Sequence, residues 1–221
     1  MKLGELLDVV RRSDLDDTAQ PYLWSDDELT EYADDAQKQA CRRGRLLVDS
    51  TTDAVCQIAV VAGTSVYALD PRVIRVNRAR LSSESLPLRF MQVRALDAQA
   101  PGWEDWEGTP EYIVPDWQSG SVKIVPKPTA NATLNMTVVR LPLAELNDQD
   151  DDFEVRDEYL RELRYWIIYR AYSKRDSETF KPDKAVEALA LFEREFGPPQ
   201  PAYAELWAQQ YHAEDTFNGR Y

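Results

Sequence analysis

The chain has 221 residues, with 39 Asp and Glu against 26 Lys and Arg, and its formal net charge is −13. At this length a folded chain removes roughly 70% of its unfolded surface from water, so a real core forms without staples. So acidic a protein is ill suited to grip nucleic acid, because phosphate neutralisation needs clustered Lys and Arg. The charge fits plain solubility, or a surface that DNA passes without sticking.

Taken in chain order, Leu3, Leu6, Leu7 and Val10 recur at helical spacing and predict a short helix to about Arg12, then an Asp-rich turn from Ser13 to Gln20. Ser25 is an N-cap candidate for a second helix. Its hydroxyl is placed to accept the Glu28 amide while the Glu28 carboxylate reaches back to the Ser25 amide, and Trp24 and Leu29 are spaced as a hydrophobic staple. Asp26 and Asp27 add charge favoured at the positive end of the helix dipole. This helix is expected to run to about Ser50. Leu29, Tyr32, Ala33, Ala36, Ala40 and Leu47 form its apolar face, and Arg42, Arg43 and Arg45 its polar one.

From Cys56 the period changes. Residues 56–63 and 65–69 read as two strands about a Gly turn, Val73 to Leu81 alternates, and residues 88–93, 111–114, 121–125 and 132–141 add short strands punctuated by Pro and Gly. Such spacing suggests a compact antiparallel sandwich or barrel. Helical period returns after Pro142 and the acidic run Asp148 to Asp152. Tyr159, Leu160, Leu163, Trp166, Ile167 and Ala171 predict a helix from about Arg156 to Arg175. Val186, Leu189, Phe192 and Phe196 predict another from near Pro182, stopped by Gly197-Pro198-Pro199. The expected fold is α+β: a helical bundle of two helix pairs, residues 1–55 and 143–197, with an inserted antiparallel β-sandwich or barrel module, residues 56–142. An extended C-terminal arm, residues 198–221, follows.

Few residues suggest chemistry. Asp148-Gln149-Asp150-Asp151-Asp152 lacks the Gly of an EF-hand loop and reads instead as a cap for the third helix that also repels DNA or a neighbouring subunit. There is no Gly-x-Ser-x-Gly elbow and no phosphate-binding Gly loop, and His212 is the lone histidine, so no enzyme is expected. Cys41 and Cys56 read as small buried hydrophobes of a reduced protein, and no zinc set exists, so neither metal nor cofactor is expected. Residues 1–8 are too short and too charged for a signal peptide, and no apolar run approaches a membrane span.

Three surface features carry alternatives. Arg72, Arg75, Arg78 and Arg80, with Arg89 and Arg94, form a basic cluster that is a solvated strand face, a nucleic-acid contact, or an inter-subunit patch meeting the acidic surface of the next copy. Trp103 and Trp106 sit in a Gly/Pro-bounded loop. With Trp117 they offer the rival reading of a β module that recognises a glycan or peptide. Tyr203, Leu206, Trp207, Tyr211, Phe217 and Tyr221 make the C-terminal stretch an aromatic arm. It either folds back on its own bundle or anchors a partner.

Pro21-Tyr22-Leu23-Trp24-Ser25-Asp26-Asp27-Glu28-Leu29, followed by the arginine-rich helix and Val48-Asp49-Ser50, resembles the head–tail adaptor (connector) proteins of tailed bacteriophages. Residues 62–73 are similar to that family's first hairpin, residues 101–112 to its Trp loop, residues 139–143 to the exit from its β module, and residues 170–179 and 192–197 to its final helix pair. The matches are collinear and cover most of the chain. The resemblance implies a non-enzymatic virion protein, made in the host cytoplasm, that forms a homo-oligomeric, usually twelve-fold ring beneath the portal protein ring. It would extend the DNA channel without specific DNA binding, hand over to a tail, nozzle or stopper protein, and dock on the portal through its C-terminal segment.

Overall fold

The computed structural model describes residues 1–176 and 178–199. In chain order its elements are α1 (Leu3–Val9), a π-helical turn (Val10–Leu15), α2 (Asp26–Gly44), β1 (Val48–Asp49), the one-turn α3 (Asp53–Cys56), β2 (Gln57–Val60), β3 (Val66–Ala68), β4 (Val73–Leu81), β5 (Arg89–Phe90), α4 (Val93–Gln99), a 3-10 turn (Trp103–Asp105), β6 (Glu107–Gly108), β7 (Tyr112–Pro115), β8 (Ser121–Val125), β9 (Lys127–Pro128), β10 (Ala132–Arg140), α5 (Asp157–Ser173) and α6 (Pro182–Phe196). They form an α+β protein of two units: a helical one, Met1–Leu47 with Leu141–Pro199, and a β-rich one, Val48–Arg140.

The helical unit is organised around α2 and α5. Leu29, Ala33, Ala36, Ala40 and Cys41 bury one face of α2, and Leu160, Leu163, Ile167 and Ala171 bury one face of α5. The small residues let the helices approach closely. The capping box forms as its sequence predicts: Ser25 Oγ accepts the Glu28 amide at 3.2 Å, and Glu28 Oε2 accepts the Ser25 amide at 3.0 Å. Trp24 and Leu29 are both fully buried in the same cluster. α2 stops at Gly44 rather than near Ser50, because Arg45 takes a left-handed conformation that breaks the helical ladder. On α6 the seam is Ala185, Ala188, Phe192 and Phe196, whereas Val186, expected inside, stands 68% exposed. The alanines sit one residue, about 100° of helix, away from the stripe read in the sequence, so the larger side chain faces water.

A buried ion pair wires the segment between α1 and α2. Arg11 Nη1 donates to Asp17 Oδ2 at 2.7 Å, and Nη2 donates to the Trp24 carbonyl at 2.8 Å and to Asp26 Oδ1 at 2.6 Å. The Asp17 carboxylate also accepts the amides of Leu23 and Trp24. The Arg11 guanidinium lies 4.2 Å from the Tyr22 ring centroid. Trp24 is thereby driven into the bundle, where its indole N–H donates to the Ala171 carbonyl at 3.1 Å and its ring meets Tyr172 edge-on.

The acidic run does not cap the third helix; Arg156, the N-cap of α5, makes no side-chain cap bond. Its backbone instead closes the start of α1, accepting the Leu3 amide at Asp151 O (3.0 Å) and the Gly4 amide at Gln149 O (2.9 Å). A Cβ on Gly4 would lie 3.2 Å from both Gln149 Cβ and its carbonyl, so glycine permits this approach. The Asp151 carboxylate accepts the Asn147 and Asp148 amides, and those bonds hold it below the usual carboxylate range. Lys2 Nζ donates to Asp150 at 2.9 Å. The run is thus held by one lysine and by its own turn.

In the β unit, β10 is the central strand of its sheet, pairing antiparallel with β4 along one edge and with β1 and β2 along the other. Leu134, Met136 and Val138 alternate inward from β10. The second sheet runs β3-β8-β7-β5, with β5 and β7 parallel, and β6 and β9 form a separate parallel pair. The β2–β3 hairpin expected about Gly63 does not form: β2 joins β10 and β3 joins β8. Tyr67 explains the divergence. Its hydroxyl donates to the Thr64 carbonyl at 2.6 Å and accepts the Val61 amide at 3.1 Å, so a side chain closes the turn in place of a ladder. The expected strand to Val93 is cut to Arg89–Phe90, and α4 follows, its Leu96 buried. One apolar cluster takes side chains from both four-stranded sheets, including Ala79, Leu81, Ile113, Val122, Ile124 and Leu134.

Asp49 on β1 and Arg140 at the end of β10 form a second buried pair, with Nε to Oδ2 at 2.7 Å and both side chains under a tenth exposed. Asp49 also accepts both amides and both hydroxyls of Thr51 and Thr52. Burial alone would raise its pKa, but the threonine bonds and the Arg140 guanidinium outweigh that and hold the carboxyl far below the usual range.

Two expectations follow. A folded pKa below the unfolded value near 3.9 means the Asp49 carboxylate stabilises fully above that pH and loses its contribution as pH falls through the folded pKa. Asp49→Asn should therefore cost about 3–5 kcal/mol at neutral pH, and urea melts should show the gap to wild type closing below pH ~4. Arg11→Met, which leaves Asp17 without its cation, should cost about 3 kcal/mol in the same assay; an unchanged midpoint would show that the two backbone amides satisfy Asp17 alone.

Candidate functional site

Residues Tyr203, Leu206, Trp207, Tyr211, Phe217 and Tyr221, the aromatic arm, lie outside the described residues. The chain immediately before them is described. α6 ends at Phe196, and Gly197 follows with φ 88° and ψ 163° before Pro198 and Pro199. Arg43, expected on the polar face of α2, instead has its side chain buried here. Its guanidinium lies 5.0 Å from the Trp166 ring centroid and 5.3 Å from that of Phe192, and Nη1 donates to the Gly197 carbonyl at 3.4 Å. Glu193 Oε1 is 3.7 Å from the same nitrogen. Burial lowers the Arg43 pKa, while the Glu193 charge opposes that shift.

The arginine patch separates into two kinds of residue. Arg72 sits in the turn before β4, where Nε and Nη2 grip the two Asp70 carboxylate oxygens at 2.8 Å each, and that bond holds Asp70 below its usual range. Arg75, Arg78 and Arg80 are on β4 itself. Val76, Ala79 and Leu81 are buried, and a bulge opposite Thr137 and Val138 adds Asn77 between them, which resets the alternation. Arg78 is exposed and makes no ion pair among the described residues. Arg80 donates to the Glu84 carbonyl at 3.1 Å.

The tryptophan loop also divides. Trp103 is 3% exposed, a core residue rather than a surface contact, and its indole N–H donates to Asp97 at 2.8 Å. Its ring meets Trp117 edge-on at 5.7 Å between centroids, and Lys123 Nζ lies 4.6 Å from Trp103 and 3.9 Å from Trp117. The protein's own buried lysine thus takes the aromatic faces that a sugar or peptide would stack on. Sequence reading missed this arrangement, because Lys123 lies in a strand read only for its apolar neighbours. Trp106 remains 39% exposed.

Each unit also carries a concavity. A cavity of about 160 Å³ in the β unit is lined by Leu69, Val73, Phe90, Pro115 and Asp116 among others. Asp116 has φ 51°, its buried Oδ2 has no hydrogen-bond partner among the described residues, and burial pushes its carboxyl up. On the helical unit, Asp27, Glu31, Asp34 and Glu145 line a cleft, and Lys38 Nζ bridges two of these carboxylates, Asp34 (2.7 Å) and Glu145 (2.8 Å). Among the described residues no set of His, Cys, Asp and Glu is arranged to hold a metal, and no helix is long and apolar enough to cross a membrane. Cys41 and Cys56 are buried thiols that are not joined in a disulfide.

No curated protein matches the sequence. The family comparison is positive: residues 1–213 match the SU10 adaptor protein family from the first helix into the aromatic arm. With its capped second helix, β insertion and closing helix pair in that order, the chain belongs to the SU10 adaptor protein family, a family of structural phage adaptors.

Proposed function

We propose that the protein is a head–tail adaptor that assembles as a twelve-fold homo-oligomeric ring beneath the portal ring. It extends the DNA channel and offers the platform on which the next tail, nozzle or stopper protein builds. The family match over residues 1–213 carries this reading. The protein acts within the virion, at the head–tail interface, after assembly in the host cytoplasm.

The charge supports a mechanism. A chain with net charge −13 gives DNA few sites for phosphate neutralisation, so a lumen built from it lets the genome slide without pausing. A closed ring uses heterologous contacts, in which one surface of each copy meets a different surface of the next. Arg78, with Arg75 and Arg80 beside it, is the basic half of such a contact, and the carboxylate-rich helical unit of the neighbour is the acidic half. Arg72, gripped by Asp70, shapes the turn that leads into the strand. The aromatic arm beyond Pro199 docks on the portal, where Trp and Tyr supply large contact areas at low entropic cost.

The direct test is density-gradient co-sedimentation with purified portal rings, with and without residues 200–221. Saturable binding at one copy per portal subunit, abolished by the deletion, is expected. A protein that ignores the portal and stays monomeric at high concentration would sink the adaptor ring. Arg78→Glu should weaken ring formation on the portal about tenfold or more while leaving the thermal midpoint of the free protein unchanged.

A further inference from the structure

The Arg43 site is costly for what it contributes to the fold. A guanidinium with a side-chain exposure of 6% is held by two aromatic faces, one carbonyl at 3.4 Å and one carboxylate at 3.7 Å, and its buried Nε has no hydrogen-bond partner among the described residues. Charges so placed are commonly replaced by apolar side chains with no loss of stability. A methionine would fill the gap between Trp166 and Phe192, but it could not hold the Gly197 carbonyl.

That carbonyl belongs to the peptide at which the chain leaves α6. Gly197 donates its own amide to the Glu193 carbonyl at 2.9 Å, which anchors one side of the residue to the helix. Its φ of 88° and ψ of 163° lie in a region essentially closed to other residues. A Cβ there would meet nothing within 4 Å, so backbone conformation, not space, requires glycine. Pro198 and Pro199 follow directly, and proline fixes φ near −65°. Phe196, 4% exposed, packs on Phe192 at 4.7 Å between centroids and anchors the helix end. The departing peptide is therefore fixed at its amide, at its dihedrals and at its carbonyl, and stiff residues come next.

We propose that Arg43 and Gly197 form a directional exit for the C-terminal arm. Arg43 is a positioning residue: it acts by holding the Gly197 carbonyl so that Pro198 and Pro199 leave the helix at a fixed angle. A segment that starts from a fixed point meets a protein partner at a lower ordering cost than one that starts from a free hinge. The inference rests on the reading of residues 200–221 as the portal-docking arm.

The full-length protein tests it through Arg43→Met and Gly197→Ala, each compared with wild type and with the deletion of residues 200–221. Spin labels at Ala190→Cys and Gln200→Cys report the exit angle in the free protein; Cys41 and Cys56 are buried. A single narrow distance distribution is expected in wild type and a broadened one in both variants. Portal affinity should fall about tenfold while the thermal midpoint of Arg43→Met stays at or above that of wild type. Arg43→Lys, which loses the planar stack and the fork, should broaden the distribution as well. Unchanged distributions in Arg43→Met and Gly197→Ala would overturn the directional exit, as would wild-type portal affinity in both. If instead the deletion leaves portal binding intact, the arm reading itself fails, whatever the spin-label distances show.

Discussion

The Asp49 carboxylate, gripped by Arg140 and by the amides and hydroxyls of Thr51 and Thr52, is the constraint on which this architecture turns. The helical unit is assembled from two stretches of sequence, Met1–Leu47 and Leu141–Pro199, separated by the whole β unit. Such an insertion works only if the inserted unit returns the chain close to where it took it. β1 and β10 do this by pairing antiparallel, Val48 opposite Val139 and Asp49 opposite Val138. A two-residue strand contributes little on its own, and the buried ion pair beside it fastens the closure. The entropy of closing so long a loop is thus met inside the β unit, independently of the bundle.

The helical unit solves a related problem with Arg11 and Asp17. Between the π-helical turn and α2 the chain has no regular structure of its own. Yet it must deliver Trp24 to a site bounded by Ala171 and Tyr172 on a helix far along the sequence. Asp17 accepts the successive amides of Leu23 and Trp24, and Arg11 donates to the carbonyl of Trp24. The backbone groups that loop burial would leave orphaned are satisfied by one ion pair. The capping box at Ser25 then starts α2 in register with a tryptophan already placed.

Local rules were legible in the sequence, and long-range choices were less so. The Ser25 box, the stop at Gly197 and the bounds of β4, β8 and α6 follow from spacing and turn chemistry within a few residues. Strand partnership does not. Nothing in residues 57–68 shows that β2 and β3 join different sheets, because the deciding contact is a tyrosine hydroxyl closing its own turn. The same limit applies at the candidate sites. An arginine near the end of α2 reads as a solvated charge until Trp166 and Phe192, more than a hundred residues later, are known to flank it. Trp103 reads as a contact residue because its loop is rich in Gly and Pro, and only Lys123 on β8 shows that the ring faces inward. The arginines of β4 were legible as a cluster, but the Asp70 grip on Arg72 and the bulge at Asn77 decide which of them reaches solvent.

The ion pairs also explain how the acidity is expressed. Arg11, Lys38, Arg140, Arg170 and Lys174 are engaged with carboxylates of their own unit: Asp17 and Asp26, Asp34 and Glu145, Asp49, Asp35, and Glu28. Arg43 and Lys123 are spent on aromatic faces. Cations committed internally cannot serve as phosphate contacts, so the excess of carboxylates falls to the exposed surface, where the field is felt within about a Debye length, ~8 Å at physiological salt. A strand face with Arg78 open stands out against that background. The proposed ring accounts for it: in a protein past which DNA must slide, a basic patch is tolerable where a neighbouring subunit covers it, and that is the place the proposal gives the β4 face.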